Sequence, residues 1–209
     1  CNGVSRNRIT RLNNNGSADP TINFGSGANN FVASTVIQPD GKIVGAGYFS
    51  EGTSARGAVC RLLPDGTPDA NFAQNGVFHM TSFSILIDVA VQPDGKIVAC
   101  GYTNSGDNPV VIRLKPNGTY DNTFGNGGTF IATTSYNRFS TLTLLPDGKI
   151  LLAGYGWSGG ALTRLLPNGT PDLTFNGTGT VILPSFGTDY TFITDVVALP
   201  SGRIITSGY

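Results

Sequence analysis

The sequence predicts an all-β fold, an array of four-stranded antiparallel blades repeated about four times along 209 residues. Two alternating markers and the residue types around them predict it. The first marker is a turn between apolar runs: Pro39-Asp40-Gly41-Lys42-Ile43, Pro93-Asp94-Gly95-Lys96-Ile97, Pro146-Asp147-Gly148-Lys149-Ile150 and Pro200-Ser201-Gly202-Arg203-Ile204. The second is an Arg-Leu pair that leads into a Gly and then an Asp. It occurs as Arg11-Leu12 with Gly16 and Asp19, Arg61-Leu62 with Gly66 and Asp69, Arg113-Leu114 with Gly118 and Asp121, and Arg164-Leu165 with Gly169 and Asp172. A fixed period of roughly fifty residues signals stacked supersecondary units. A residue present in every unit is expected to build that unit.

Composition agrees. Gly is frequent at 29 residues, charged residues make up only 12%, and Glu51 is the only glutamate. Good helix formers are scarce, while β-branched residues, Gly and Asn are common. Formal net charge is zero, which argues against nucleic acid as a partner, since phosphate binding needs a basic face. No apolar run approaches the roughly 20 residues of a membrane-spanning helix. Three cysteines form no disulfide framework. Cys60 and Cys100 occupy slots held elsewhere by Thr, Ile, Ala or Ser, and read as small buried apolar residues.

The third copy displays the unit most clearly. Its runs are Ile87–Val91, Ile97–Tyr102, Val110–Leu114 and Thr129–Ala132, bounded by Gly, Pro, Asn or Asp. These read as four strands, A to D. Pro presets φ in the A–B turn and Gly permits φ > 0. Four strands in about fifty residues is the size of a β-propeller blade. In the C–D connection the Asp is placed to accept loop amides and to pair with the repeated Arg. Three residues later comes Ile22, Phe72, Phe124 or Phe175, expected to plug the space between blades. A Ca²⁺ loop built on Asp65 and Asp69 is the weaker reading, because Ca²⁺ takes six to eight oxygens.

The run Gln92 to Tyr102 (Gln-Pro-Asp-Gly-Lys-Ile-Val-x-x-Gly-Tyr) and the run Arg113 to Phe124 (Arg-Leu-x-Pro-Asn-Gly-x-x-Asp-x-x-Phe) resemble the delta-60 repeat. That is a β-propeller-type repeat of large bacterial secreted proteins. The resemblance spans essentially the whole chain, with departures at Ile22, Ser201 and Arg203. It implies a secreted or cell-surface bacterial protein and carries over no catalytic motif.

The repeat phase divides the chain into about residues 1–30 (strands C and D), 31–82, 83–134, 135–184 and 185–209 (strands A and B), read together as one propeller or propeller segment. Asn2-Gly3-Val4-Ser5 resembles Glu51-Gly52-Thr53-Ser54, so both ends fall in a B–C loop. The end strands are expected either to share a closing blade, within one chain or between two, or to be the edges of a longer array. The array is the favoured expectation; a lipid on Cys1 is a lesser one, with only a few residues before strand C.

No catalytic, metal or cofactor site is signalled. His79, the one histidine, has no nucleophile or metal partner in the sequence. No carboxylate pair, nucleophile elbow or phosphate loop occurs. With strand A innermost, both repeated motifs share one face, and the variable B–C and D–A loops share the other. Trp157, Tyr136, Arg138, Tyr190, Asp107 and Arg56 lie in or beside those variable loops and are the candidate partner-binding residues, for a protein or a glycan. The expected function is a non-enzymatic extracellular scaffold or adhesion module. The alternatives are the propeller of a secreted carbohydrate-active enzyme and a purely structural spacer or filament repeat.

Overall fold

The A–B turns form as their residues require. Gly41 N donates to Gln38 O (2.9 Å) and Gln38 N to Lys42 O (2.8 Å). Gly41 has φ +81°, a conformation only Gly adopts freely. The same pair of bonds closes the turns at Gln92/Gly95, Leu145/Gly148 and Leu199/Gly202. A tight turn closed by an i to i+3 bond and followed by a left-handed Gly joins two antiparallel strands with the twist that a hairpin needs.

The structure is a computed structural model that describes residues 9–22, 31–51, 54–82, 84–103, 108–132, 136–156, 159–183 and 191–209. The described strands build three complete four-stranded sheets and one two-stranded sheet. Blade I contains β1 (Phe31–Ile37), β2 (Ile43–Glu51), β3 (Ser54–Leu62) and β4 (Val77–His79). Blade II contains β5 (Ser84–Val91), β6 (Ile97–Thr103), β7 (Pro109–Leu114) and β8 (Thr129–Ile131). Blade III contains β9 (Tyr136–Leu144), β10 (Ile150–Gly156), β11 (Gly159–Leu165) and β12 (Thr180–Leu183), and β13 (Ile193–Ala198) pairs with β14 (Ile204–Gly208). Within each sheet consecutive strands are neighbours and antiparallel. Residues 9–22 precede blade I and hold a Leu12–Ala18 bridge, the counterpart of Leu62–Pro68 in the first C–D connection. No helix among the described residues is long and apolar enough to cross a membrane.

Blades stack through alternating side chains. On β6, Ile97 and Ala99 face blade I in one cluster with Val44, Ala46, Val59 and Phe72. Val98 and Cys100 face blade III in a second cluster with Phe139, Leu142, Ile150 and Leu152. A period of two thus buries both faces of a blade. Cys60 and Cys100 are free and buried. Burial pushes the Cys60 thiol up to about 11 and Cys100 well above its usual value, so both act as small apolar groups.

Strand A carries a feature that the repeat pattern did not reveal. The register slips between Val32 and Ser34, between Leu86 and Asp88, between Thr141 and Phe139, and between Ile193 and Asp195. Each slip is a bulge of one extra residue. Beside each bulge a strand-A carbonyl occupies the space a side chain on strand B would need. A Cβ on Gly47, Gly101, Gly154 or Gly208 would lie 2.1, 1.9, 1.8 or 1.7 Å from the oxygen of Phe31, Ile85, Arg138 or Phe192. This close approach explains the Gly of the recurring Gly-Tyr pair on strand B.

Candidate functional site

The repeated charges decide which residues remain available for recognition. In blade I, Arg61 Nε donates to Asp69 Oδ2 at 2.9 Å, and the guanidinium lies 4.6 Å from the centre of the Phe72 ring. Its Nη1 donates across the blade boundary to Pro116 O in the C–D turn of blade II. Arg113 repeats the arrangement with Asp121 (2.9 Å), Phe124 (4.6 Å) and Pro167 O of blade III. Arg11 does so with Asp19 (2.7 Å) and Pro64 O (2.8 Å). Arg164 bonds Asp172 at 2.8 Å and stacks on Phe175. A backbone bond accompanies the boundary contact: Ala73 N to Asn117 O (2.9 Å) and Gly125 N to Asn168 O (2.7 Å).

The Lys of an A–B turn joins three of the sets, at Asp69, Asp121 and Asp172. Lys96 Nζ lies 2.9 Å from Asp94 Oδ2 and 3.5 Å from Asp121 Oδ2, and Lys149 repeats this with Asp147 and Asp172. The other carboxylate oxygen of each latch Asp accepts the amide two residues on, at Thr21, Asn71, Thr123 and Thr174. The expected Arg–Asp pairing is therefore present in all four copies. Ile22, Phe72 and Phe124 are buried as plugs; Phe175 is only half-buried. Asp65 Oδ1 accepts the Thr67 amide and hydroxyl, a local turn. Among the described residues no group of three or more His, Cys, Asp or Glu is placed to hold a metal ion.

Acid stability follows from this network. Burial alone would raise the Asp121 carboxyl. Bonds from the Thr123 hydroxyl and amide, then the charges of Arg113 and Lys96, outweigh it and bring the carboxyl down to about 2. Asp19 is likewise held at about 2, mainly by the Thr21 hydroxyl, and Asp172 is lowered mainly by the Thr174 hydroxyl. An unfolded Asp titrates near 3.9. A carboxyl depressed in the fold contributes stability above the unfolded value and loses it as pH falls through the folded one. The urea midpoint is expected to hold steady from pH 7 to about 5, then fall between about pH 4 and 2. A midpoint unchanged at pH 2.5 would contradict the assignment.

Asp88 is a second structural carboxylate that the sequence reading passed over. It sits at the β5 bulge. Its Oδ1 accepts Ser34 Oγ of β1 (2.7 Å), and its Oδ2 accepts Leu142 N (2.9 Å) and Thr141 Oγ1 (3.1 Å) of β9. One side chain thus ties the innermost strands of three blades. Its signal was an Asp inside an apolar strand run, which strand patterning alone treats as a solvent-facing position.

The candidate recognition residues distribute as follows. Trp157, Tyr190 and Asp107 lie outside the described residues, as does the Tyr136 side chain on β9. Arg138, also on β9, lies 4.2 Å from the centre of the Tyr102 ring of blade II. Beside the next boundary, Tyr155 meets Phe192 at 4.3 Å, and Phe192 stacks on Tyr209 at 5.2 Å. Arg138 therefore packs between blades while staying half-buried at the variable-loop end. Arg56 begins the inner run of β3, where Nη1 approaches Thr81 O at 3.5 Å. It is separated from Arg138 by the width of blade II, since Arg56 belongs to blade I and Arg138 to blade III.

Three solved structures are similar in fold. A protein of unknown function from Bacteroides caccae superposes with a TM-score of 0.52 at 14% identity, covering 84% of this chain and 52% of that one. A candidate gluconolactonase has a TM-score of 0.49 at 16% identity, covering 93% and 61%. Sqt1 of Chaetomium thermophilum has a TM-score of 0.47 at 14% identity, covering 86% and 42%. The chain spans about half the length of the Bacteroides protein. At these identities the likeness concerns fold alone. No curated protein is significantly similar in sequence. A family model described as a domain of unknown function (DUF5122) beta-propeller matches residues 1–21, 38–72, 92–124 and 145–175. The second, third and fourth matched segments each run from an A–B turn to the plug residue, and so hold the Lys, Arg and Asp of one set. With more than half of its residues matched, the chain belongs to the DUF5122 β-propeller family.

Proposed function

We propose that the chain is a non-enzymatic binding and scaffolding module of a secreted or cell-surface bacterial protein of the delta-60 type. Its contact surface is the variable-loop face, and its partner is a protein or a glycan. The observation that carries this reading is the engagement of the repeated charges. Arg61, Asp69, Arg113 and Asp121 are 6%, 2%, 5% and 2% exposed and are held within latches. Their chemistry goes into joining blades. Recognition then falls to side chains that differ between repeats, on loops fixed by a rigid scaffold.

Aromatic and Arg side chains dominate interface energetics, and Tyr136 and Arg138 at the start of β9, with Trp157 just after β10 in sequence, supply them in blade III. The test is capture on glycan and surface-protein arrays by the wild type and by a Trp157→Ala/Tyr136→Ala/Arg138→Ala variant. Partner retention is expected to fall at least about tenfold, equivalent to about 1.4 kcal/mol, with the circular dichroism spectrum unchanged. Undiminished capture by a folded variant would sink the loop-face reading. Hydrolysis of a member of a glycan panel would overturn the non-enzymatic one.

A further inference from the structure

Blades I and II flank a lateral cleft of about 500 Å³, lined by Arg56 of the variable-loop candidates but by none of Trp157, Tyr136 and Arg138, on which the proposed function is tested. Its inner wall is the outer strand β4 with the residues that follow it. Its far wall is the C–D turn of blade II. Arg56, Gln74, Phe78, His79, Met80 and Tyr120 supply its chemistry. Among the described residues no Asp or Glu lines it.

Comparing equivalent positions shows what is particular to this cleft. Bridges place Tyr120 opposite Leu114, where blades I and III have Pro68 opposite Leu62 and Pro171 opposite Leu165. His79 pairs with Ala58, where the other blades pair Ile131 with Val110 and Ile182 with Ala161. Arg56 precedes the latch Arg by five positions, where Asn108 and Gly159 stand in blades II and III and Arg6 stands before Arg11 in the first copy. A cation, an imidazole and a phenol thus replace Asn or Gly, Ile and Pro at three positions distant in sequence, and all three meet in one cleft. Blade construction does not call for them, because blades II and III form without their counterparts.

We propose that this cleft binds a small organic anion, a carboxylate carried on a six-membered ring, as in a uronic acid unit of a glycan. Arg56 meets the carboxylate, since guanidinium and carboxylate match in geometry and charge. The ring rests against Phe78, Met80 and Tyr120. Phe78 and Tyr120 already meet edge to face at 4.9 Å, which fixes that wall. Burial raises the Tyr120 phenol, so its hydroxyl stays a hydrogen-bond donor through neutral pH. Gln74, Thr81 and Thr119 line the cleft too and suit ring hydroxyls. The volume fits a small ligand and exceeds what an inorganic anion fills.

The repeat itself supplies the test variants, because each substitution installs the residue found at the equivalent position of a neighbouring blade. Wild type, Arg56→Asn and an Arg56→Asn/His79→Ile/Tyr120→Pro variant are titrated with a glucuronate disaccharide, 4-hydroxybenzoate and neutral cellobiose, followed by calorimetry and amide chemical shifts. Thermal unfolding confirms that each variant is folded. At least one acid is expected to bind wild type about tenfold or more tightly than cellobiose, and to lose about tenfold or more with Arg56→Asn alone. Which acid binds separates a sugar acid from an aromatic one. If neither acid binds, if cellobiose binds equally well, or if Arg56→Asn binds acid as wild type does, the proposal is overturned. If the triple variant does not fold, the single variant decides. Loss of loop-face capture leaves this result untouched, so the two readings fail separately.

Discussion

Asp121→Asn is expected to lower stability by about 3–5 kcal/mol, the cost of removing one partner from a buried ion pair. Asp121 is 2% and Arg113 5% exposed. The variant leaves the Arg113 guanidinium between the Phe124 ring and the Pro167 carbonyl with no counter-charge, and takes from Lys96 the second of its two carboxylates. For a chain of this size each kcal/mol moves Tm by about 2–4 °C, so a fall of roughly 6–20 °C is expected by calorimetry. Asp19→Asn is the control. Its partner Arg11 has a side chain 38% exposed, where water partly replaces the lost charge, and Tm should fall clearly less than with Asp121→Asn. Equal effects at the two sites would show that burial does not govern the latch. Replacing both members with apolar residues, Arg113→Met with Asp121→Leu, should recover part of the loss.

Gly101→Ala is expected to cost at least about 3 kcal/mol, at or beyond the upper end of ordinary overpacking. The added carbon would lie 1.9 Å from the Ile85 oxygen and 2.9 Å from Leu86 Cα. Neither is the end of a flexible side chain, so relief requires β5 to move away from β6 beside its bulge. That shift displaces Asp88, and with it the bonds to Ser34, Thr141 and Leu142. Gly127→Ala is the reference. Its φ is +62° and nothing lies within 4 Å, so only backbone strain of about 1 kcal/mol opposes it. Chemical denaturation of the two variants should separate them by about 2 kcal/mol or more. Matching midpoints would mean that strand A yields without cost.

Much of the architecture was legible because it rests on local chemistry written in every repeat. Pro-Asp-Gly sets a turn whatever surrounds it, and an Arg eight residues before an Asp on a strand-turn unit pairs with it. The strand assignments in the third copy match β5 to β8 within a few residues for the same reason. What stayed hidden depends on backbone atoms. The acceptor of Arg113 Nη1 is the carbonyl of Pro167, and a carbonyl has no letter in the sequence. The bulge that sets Asp88 between three blades is invisible because one extra residue in a strand leaves the apolar alternation almost unchanged. The lateral cleft could have been found from departures at Arg56, His79 and Tyr120, but only after a register that the bridges supply. Trp157, Tyr190 and Asp107 were chosen by chemistry and loop position alone.

The direction of the latch has a consequence for how such a chain grows. Arg11, Arg61 and Arg113 each reach forward by one repeat, to the carbonyls of Pro64, Pro116 and Pro167, over 53, 55 and 54 residues. Among the described residues no latch skips a blade or reaches backward. A unit copied whole in a duplication therefore arrives carrying its own acceptor for the unit before and its own donor for the unit after. The boundary it creates is chemically the same as those already present. Stability in such a chain is a sum over neighbours, so its length can change by whole repeats while its loops diverge independently.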